Sequence, residues 1–129
     1  MTKRQLCNDV RIKAVLQTGV EDLECFCGVV SFALHLKFKQ QGFKSRVMFG
    51  KYDGYAHCWV ESGGYLYDLT ATQFNDNLPE VYVFRLKEKK KHKYEDTKIF
   101  KSIKDFRGWP RGQKPYPAKL KAILTHKAA

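Results

Sequence analysis

Apolar positions recur at helical spacing through the first forty residues. Leu6, Val10 and the pair Ala14–Val15 repeat about every four residues, with Asn8, Asp9, Arg11 and Lys13 between them, and predict a helix over residues 6–16. Gly19 is its stop, since glycine suits the left-handed residue that closes a helix. A longer helix is predicted over residues 27–41, where Val30, Leu34 and Phe38 make a stripe at i, i+4 and i+8 that Ala33 and Leu36 widen. Gly42 ends that one. The pattern then becomes that of strands. Residues 45–52 and 55–61 form two, joined by Asp53-Gly54, a two-residue hairpin signal. Ser62-Gly63-Gly64 turns the chain into a third strand over 65–69, and residues 81–84 make a fourth. After residue 85 the patterning fades into a charge run at Lys87–Lys93 and irregular chain around Trp109-Pro110, before a short final helix at 118–126. Two helices followed by an antiparallel meander predict an α+β fold.

Composition narrows this. A chain of 129 residues fits one domain, and nine Phe, seven Tyr and two Trp give it material for a core. Residues 1–5 are polar with no apolar stretch behind them, so no leader is expected. The longest apolar run, residues 29–36, is broken by Ser31 and His35 and falls short of the roughly 20 residues of a membrane span. A soluble, cytoplasmic protein with no membrane partner is the expectation, its four cysteines thiols before bridges.

Charge divides the chain. Residues 1–84 hold nine Lys/Arg against nine Asp/Glu, and residues 85–129 hold fifteen against four, so the whole +11 lies in the last third. The expectation is a single domain over 1–129, with a core at 1–84 and a basic C-terminal extension at 85–129 packed on it. The extension could engage an acidic protein or nucleic acid, with Tyr82, Phe84, Tyr94, Phe100, Phe106, Trp109 and Tyr116 interleaved as stacking platforms.

Candidate chemistry centres on Cys27-Gly28, where the second helix begins. A thiol at a helix N-terminus has its thiolate stabilised by the dipole and by free backbone N–H groups, which can also hold an oxyanion. Such a nucleophile needs a base, and the base needs an orienting partner. On the strand His57-Cys58-Trp59-Val60-Glu61, alternation puts His57, Trp59 and Glu61 on one face and Cys58 and Val60 on the other. A tight turn at 62–64 pairs residues whose numbers add to about 125 or 126, which brings Asp68 beside His57.

Four segments carry a resemblance. Cys27-Gly28-Val29-Val30-Ser31-Phe32-Ala33-Leu34, then Gly42-Phe43-Lys44-Ser45-Arg46-Val47, then His57-Cys58-Trp59-Val60-Glu61, then Asp68-Leu69-Thr70 resemble the core of transglutaminase-like cysteine enzymes, relatives of papain. The stretch Asp68–Phe74 is also similar to bacterial papain-fold toxins and deamidases. The resemblance covers roughly residues 25–74, with Cys58 standing for the family's Ala and Leu69 for its Pro. It implies a nucleophile-bearing helix packed on a small antiparallel sheet. It implies a triad of Cys27 as nucleophile, His57 as general acid/base and Asp68 as the residue that orients His57, with Trp59 shielding the pair. It further implies attack on a protein or peptide amide through a thioester, as protease, glutamine deamidase or transglutaminase, with no cofactor and no metal. Gln17, ten residues upstream of Cys27, is the nearest candidate for an oxyanion donor. Cys25 is the rival nucleophile. A zinc site from Cys25, Cys27, His57 and Cys58 is disfavoured, because adjacent His57 and Cys58 point to opposite strand faces. The alternative function is an inactive binding module that works through its basic region.

Overall fold

The computed structural model describes residues 1–24, 26–100 and 116–125. Helix α1 runs Lys3–Thr18, longer than its apolar pattern, because Thr2 caps it. The Thr2 hydroxyl accepts from the Gln5 backbone at 3.1 Å, and the Gln5 side chain accepts from the Thr2 backbone at 2.8 Å. Gly19 closes the helix at φ +72°. Helix α2 runs Cys27–Gln40, followed by Gly42 at φ +83°.

Helix α2 differs from its expected stripe. Val29 and Phe32 are buried along with Val30, Ala33, Leu34 and Phe38, so almost the whole N-terminal half is inside. The reason is its central place. Its residues pack on the sheet, while α1 and helix α3 (Tyr116–Thr125) pack on it and on each other. A helix with neighbours on several sides is apolar all round. None of the described helices is long and apolar enough to cross a membrane.

The strands are β1 (Arg46–Tyr52), β2 (Tyr55–Ser62), β3 (Tyr65–Asp68), β4 (Tyr82–Arg85) and β5 (Tyr94–Phe100). They form one antiparallel sheet in the order β4-β3-β2-β1-β5. Among the described residues the fold is α+β, a small five-stranded sheet with three α-helices. Strand β5 arises in the segment where the sequence pattern fades. It lies along the outer side of β1, and only its end residues Tyr94 and Phe100 are buried, so it shows no alternation. The final helix begins two residues before its expected start.

The sheet has a core on each face. Val47, Cys58, Val60, Tyr67 and Phe100 face the helices. Met48, Tyr52, Trp59, Leu66, Phe84 and Tyr94 form the second core on the other face. That second core is enclosed by curvature. Strands β4 and β5 are the two edges, which a flat sheet would hold about 19 Å apart. Yet the rings of Phe84 and Tyr94 lie 5.3 Å apart. Gly50 permits the bend. The β1–β5 register shifts between Phe49 and Gly50, and a Cβ at Gly50 would stand 2.0 Å from the Glu95 carbonyl oxygen and 2.6 Å from the Trp59 ring.

Candidate active site

Cys27 is the first residue of α2, its side chain at the join of helix layer and sheet, 7% exposed. The first-turn N–H groups of a helix lack intrahelical partners, so the thiol sits at an electropositive end. Gly28, buried, is next in that turn.

His57 and Asp68 meet across the β2–β3 hairpin. The turn residues Gly63 and Gly64 both have positive φ, +56° and +84°, and set the register. Val60 faces Tyr67 and Glu61 faces Leu66, so partner numbers add to 127 rather than 125 or 126. The observed register differs by two from a sum of 125, which keeps each side chain on its face, whereas a sum of 126 would have put Asp68 on the face away from His57. Asp68 therefore falls diagonal to His57 on the same face. His57 Nε2 donates to Asp68 Oδ2 at 2.6 Å, and both side chains are fully buried.

Asp68 also caps the turn that follows it. Oδ1 accepts the Thr70 backbone N–H at 2.9 Å and the Thr70 hydroxyl at 3.3 Å. Asp68 thus gives one oxygen to the turn and the other to the histidine. A residue that sequence reasoning missed is its third partner: the Tyr94 hydroxyl donates to Oδ2 at 2.6 Å.

Trp59 is wholly buried two residues from His57 on the same face, ring centroids 6.2 Å apart. Its Nε1 donates to Glu61 Oε2 at 3.0 Å. Glu61, 2% exposed, is held in turn by Arg46 at 2.8 Å and by Lys89, which also binds Asp96 at 2.7 Å. Phe74 covers His57 from another side, edge to face at 4.8 Å, and stacks on Tyr52 and Tyr55, each at 5.5 Å. Tyr55 is exposed, so this aromatic wall continues from the imidazole to the surface.

Arg11 ties the loops that flank the site. It donates to the Leu69 carbonyl just beyond Asp68 and, at 2.8 Å, to the Glu21 carbonyl in the segment leading to Cys27. Its burial was legible only as a polar residue between apolar helix positions.

Electrostatics couple the three side chains. The Cys27 thiol is lowered from 9.0 to about 5, by a hydrogen bond from Cys58 and by the His57 ring, against the opposing effect of burial. Burial works against a charged His57, yet the Asp68 carboxylate and the Cys27 thiolate raise it to about 10. Asp68 is likewise held low against its burial, mainly by His57. Among the described residues, no side chain or backbone group makes a geometrically complete hydrogen bond to His57 Nδ1, which is buried. Cys27 and the imidazole shift each other by side-chain hydrogen bonding and by charge. A buried nitrogen left unsatisfied costs about 1–3 kcal/mol. The set offers a thiolate, an imidazolium beside it and a fixed carboxylate behind the imidazolium.

The remaining sequence candidates are placed as follows. Gln17 is exposed in the last turn of α1. Cys25, the rival nucleophile and a member of the zinc set, lies outside the described residues. Cys7 is wholly buried, its thiol raised to about 12 by burial. Among the aromatics expected to interleave with the basic run, Phe84, Tyr94 and Phe100 are core residues, not exposed platforms, while Phe106 and Trp109 lie outside the described residues. No family model, curated protein or solved structure matches the chain.

Proposed function

We propose that this protein is a cysteine-nucleophile enzyme on a papain/transglutaminase-like core, acting on protein or peptide amides through a Cys27 thioester. The observation that carries the reading is the buried His57–Asp68 hydrogen bond at 2.6 Å beside a helix-start thiol lowered to about 5. A structural thiol in an apolar setting moves the other way, as Cys7 does. In the proposed cycle the Cys27 thiolate adds to the amide carbonyl. The first-turn N–H groups of α2 face the developing oxyanion. His57, already protonated, gives its proton to the leaving nitrogen, and ammonia or an amine departs. His57, now neutral, removes a proton from water or an acceptor amine, which attacks the thioester and frees the thiolate. Asp68 keeps the ring in place throughout.

The test is adduct mapping with iodoacetamide at pH 7. Cys27 is expected to react at least about a hundredfold faster than Cys7, given a thiolate fraction near one against almost none. Equal rates at the two residues would end the enzyme reading. Ammonia release from glutamine-containing proteins, peptide cleavage and amine incorporation then separate deamidase, protease and transglutaminase.

A further inference from the structure

Asp68 carries more donors than a bare His–Asp pair requires. Thr70 occupies Oδ1 with its N–H and hydroxyl. Oδ2 receives both His57 Nε2 and the Tyr94 hydroxyl, each at 2.6 Å. Tyr94 comes 26 residues later in the chain, from the start of β5, two strands away from β2 in the sheet. It reaches Asp68 because the sheet is curled.

Its ring is held on three sides. Trp59 meets it edge to face at 5.1 Å, Tyr52 lies at 5.1 Å and Phe84 at 5.3 Å, and Tyr94 is 2% exposed. A tyrosine so packed presents its hydroxyl with little freedom. Burial and the adjacent Asp68 charge hold the phenol well above its ordinary range, so it stays protonated and donates.

The terminal torsion of an aspartate is broad, and a carboxylate pinned at one oxygen can still swing. Thr70 pins Oδ1. We propose that Tyr94 is a positioning residue of the Cys27–His57–Asp68 reaction, pinning Oδ2 so that the carboxylate holds the His57 ring in one orientation. This rests on reading the three residues as a triad. The hydroxyl also shares the charge on Oδ2, so the imidazolium is held less tightly and can release its proton in the cycle.

The test is Tyr94→Phe, which keeps the ring and removes the hydroxyl. The expected result is a rise of about half a unit or more in the His57 pKa, followed by imidazole NMR in the full chain. With it, kcat falls roughly tenfold while KM stays unchanged. Phe84→Leu is the control: it loosens the ring's packing but keeps the hydroxyl, so it lowers Tm and moves the His57 pKa less than Tyr94→Phe does. A merely structural Tyr94 would lower Tm with a His57 pKa that stays put or falls, and that result overturns the proposal. The wild-type chain provides a reading that needs no variant to fold. Its Tyr94 hydroxyl proton should exchange slowly and shift as His57 titrates, and a proton indifferent to that titration also overturns it. Neither NMR measurement needs turnover, so loss of the triad reading and loss of this one are told apart.

Discussion

Between about pH 5 and pH 10 the Cys27–His57 pair is a thiolate beside an imidazolium. Alkylation of Cys27 should therefore rise with a midpoint near 5, and turnover should fall again as His57 loses its proton near 10. A Cys27 midpoint at 9.0, its unshifted value, would show that the ion pair does not form. Stability follows the same groups. The Cys27 contribution is full above 9.0 and is lost as pH falls through about 5, whereas that of His57 is full below 6.5 and is lost as pH rises through about 10. The two overlap most from neutral to mildly alkaline pH. Cys58 is the largest cause of the low thiol, so Cys58→Ala, the residue of the resembled family, should move the alkylation midpoint upward; an unmoved midpoint would remove Cys58 from the site's electrostatics. That Cys27, His57 and Asp68 lie together was legible because a helix start and a hairpin turn place them. The second role of Cys58 was not. A wholly buried cysteine on the helix-facing side of a strand has the sequence signature of a core residue, and whether it also donates depends on what the packed helix places above it.

At the level of elements, both hairpins were legible from their turns. Asp53-Gly54 takes φ +48° and +85°, and Gly63-Gly64 is positive at both residues, so the residues that can adopt left-handed backbone stand where the chain reverses. The exact register of β2 on β3 was less so, since the turn's reach shifts partners by a residue or two while alternation fixes only the face. Strand β5 escaped because its middle five residues are exposed and charged or polar apart from Ile99, and its place comes from backbone pairing with β1. Gly50 is where these two strands constrain each other. Gly50→Ala would press a methyl group into the Glu95 carbonyl and the Trp59 ring, and should cost about 1–3 kcal/mol, a Tm loss of roughly 3–15 °C. Thermal melting checks this, and an unchanged Tm would mean that the bulge relaxes freely.

Over the whole molecule, the lysines of the segment 87–93 divide into one that bridges carboxylates and four that stand exposed. Lys89, with a side chain 16% exposed, bridges buried Glu61 and Asp96 and so steadies the carboxylate that holds Trp59. Lys87, Lys90, Lys91 and Lys93 are exposed. Lys89→Ala should therefore lower stability by roughly 1–2 kcal/mol. Replacing the other four with glutamine should leave Tm within about 2 °C while weakening retention on a polyanion such as heparin at low salt. Retention equal to wild type would show that this surface plays no part in anion binding. Net charge was legible from the sequence alone. Which lysine is structural was not, because it depends on where the curled sheet brings a carboxylate.

The place of β5 has a consequence for synthesis. A nascent chain emerges with Cys27 first, then His57, then Asp68, and all three precede the strand that bears Tyr94. The β2–β3 hairpin can close as soon as its turn is clear of the ribosome, but the hydroxyl that completes the Asp68 shell arrives only when residues 94–100 pair with β1. The Asp68 shell is thus completed only after Cys27, His57 and Asp68 have all emerged, so the hairpin forms first and the carboxylate is fixed second.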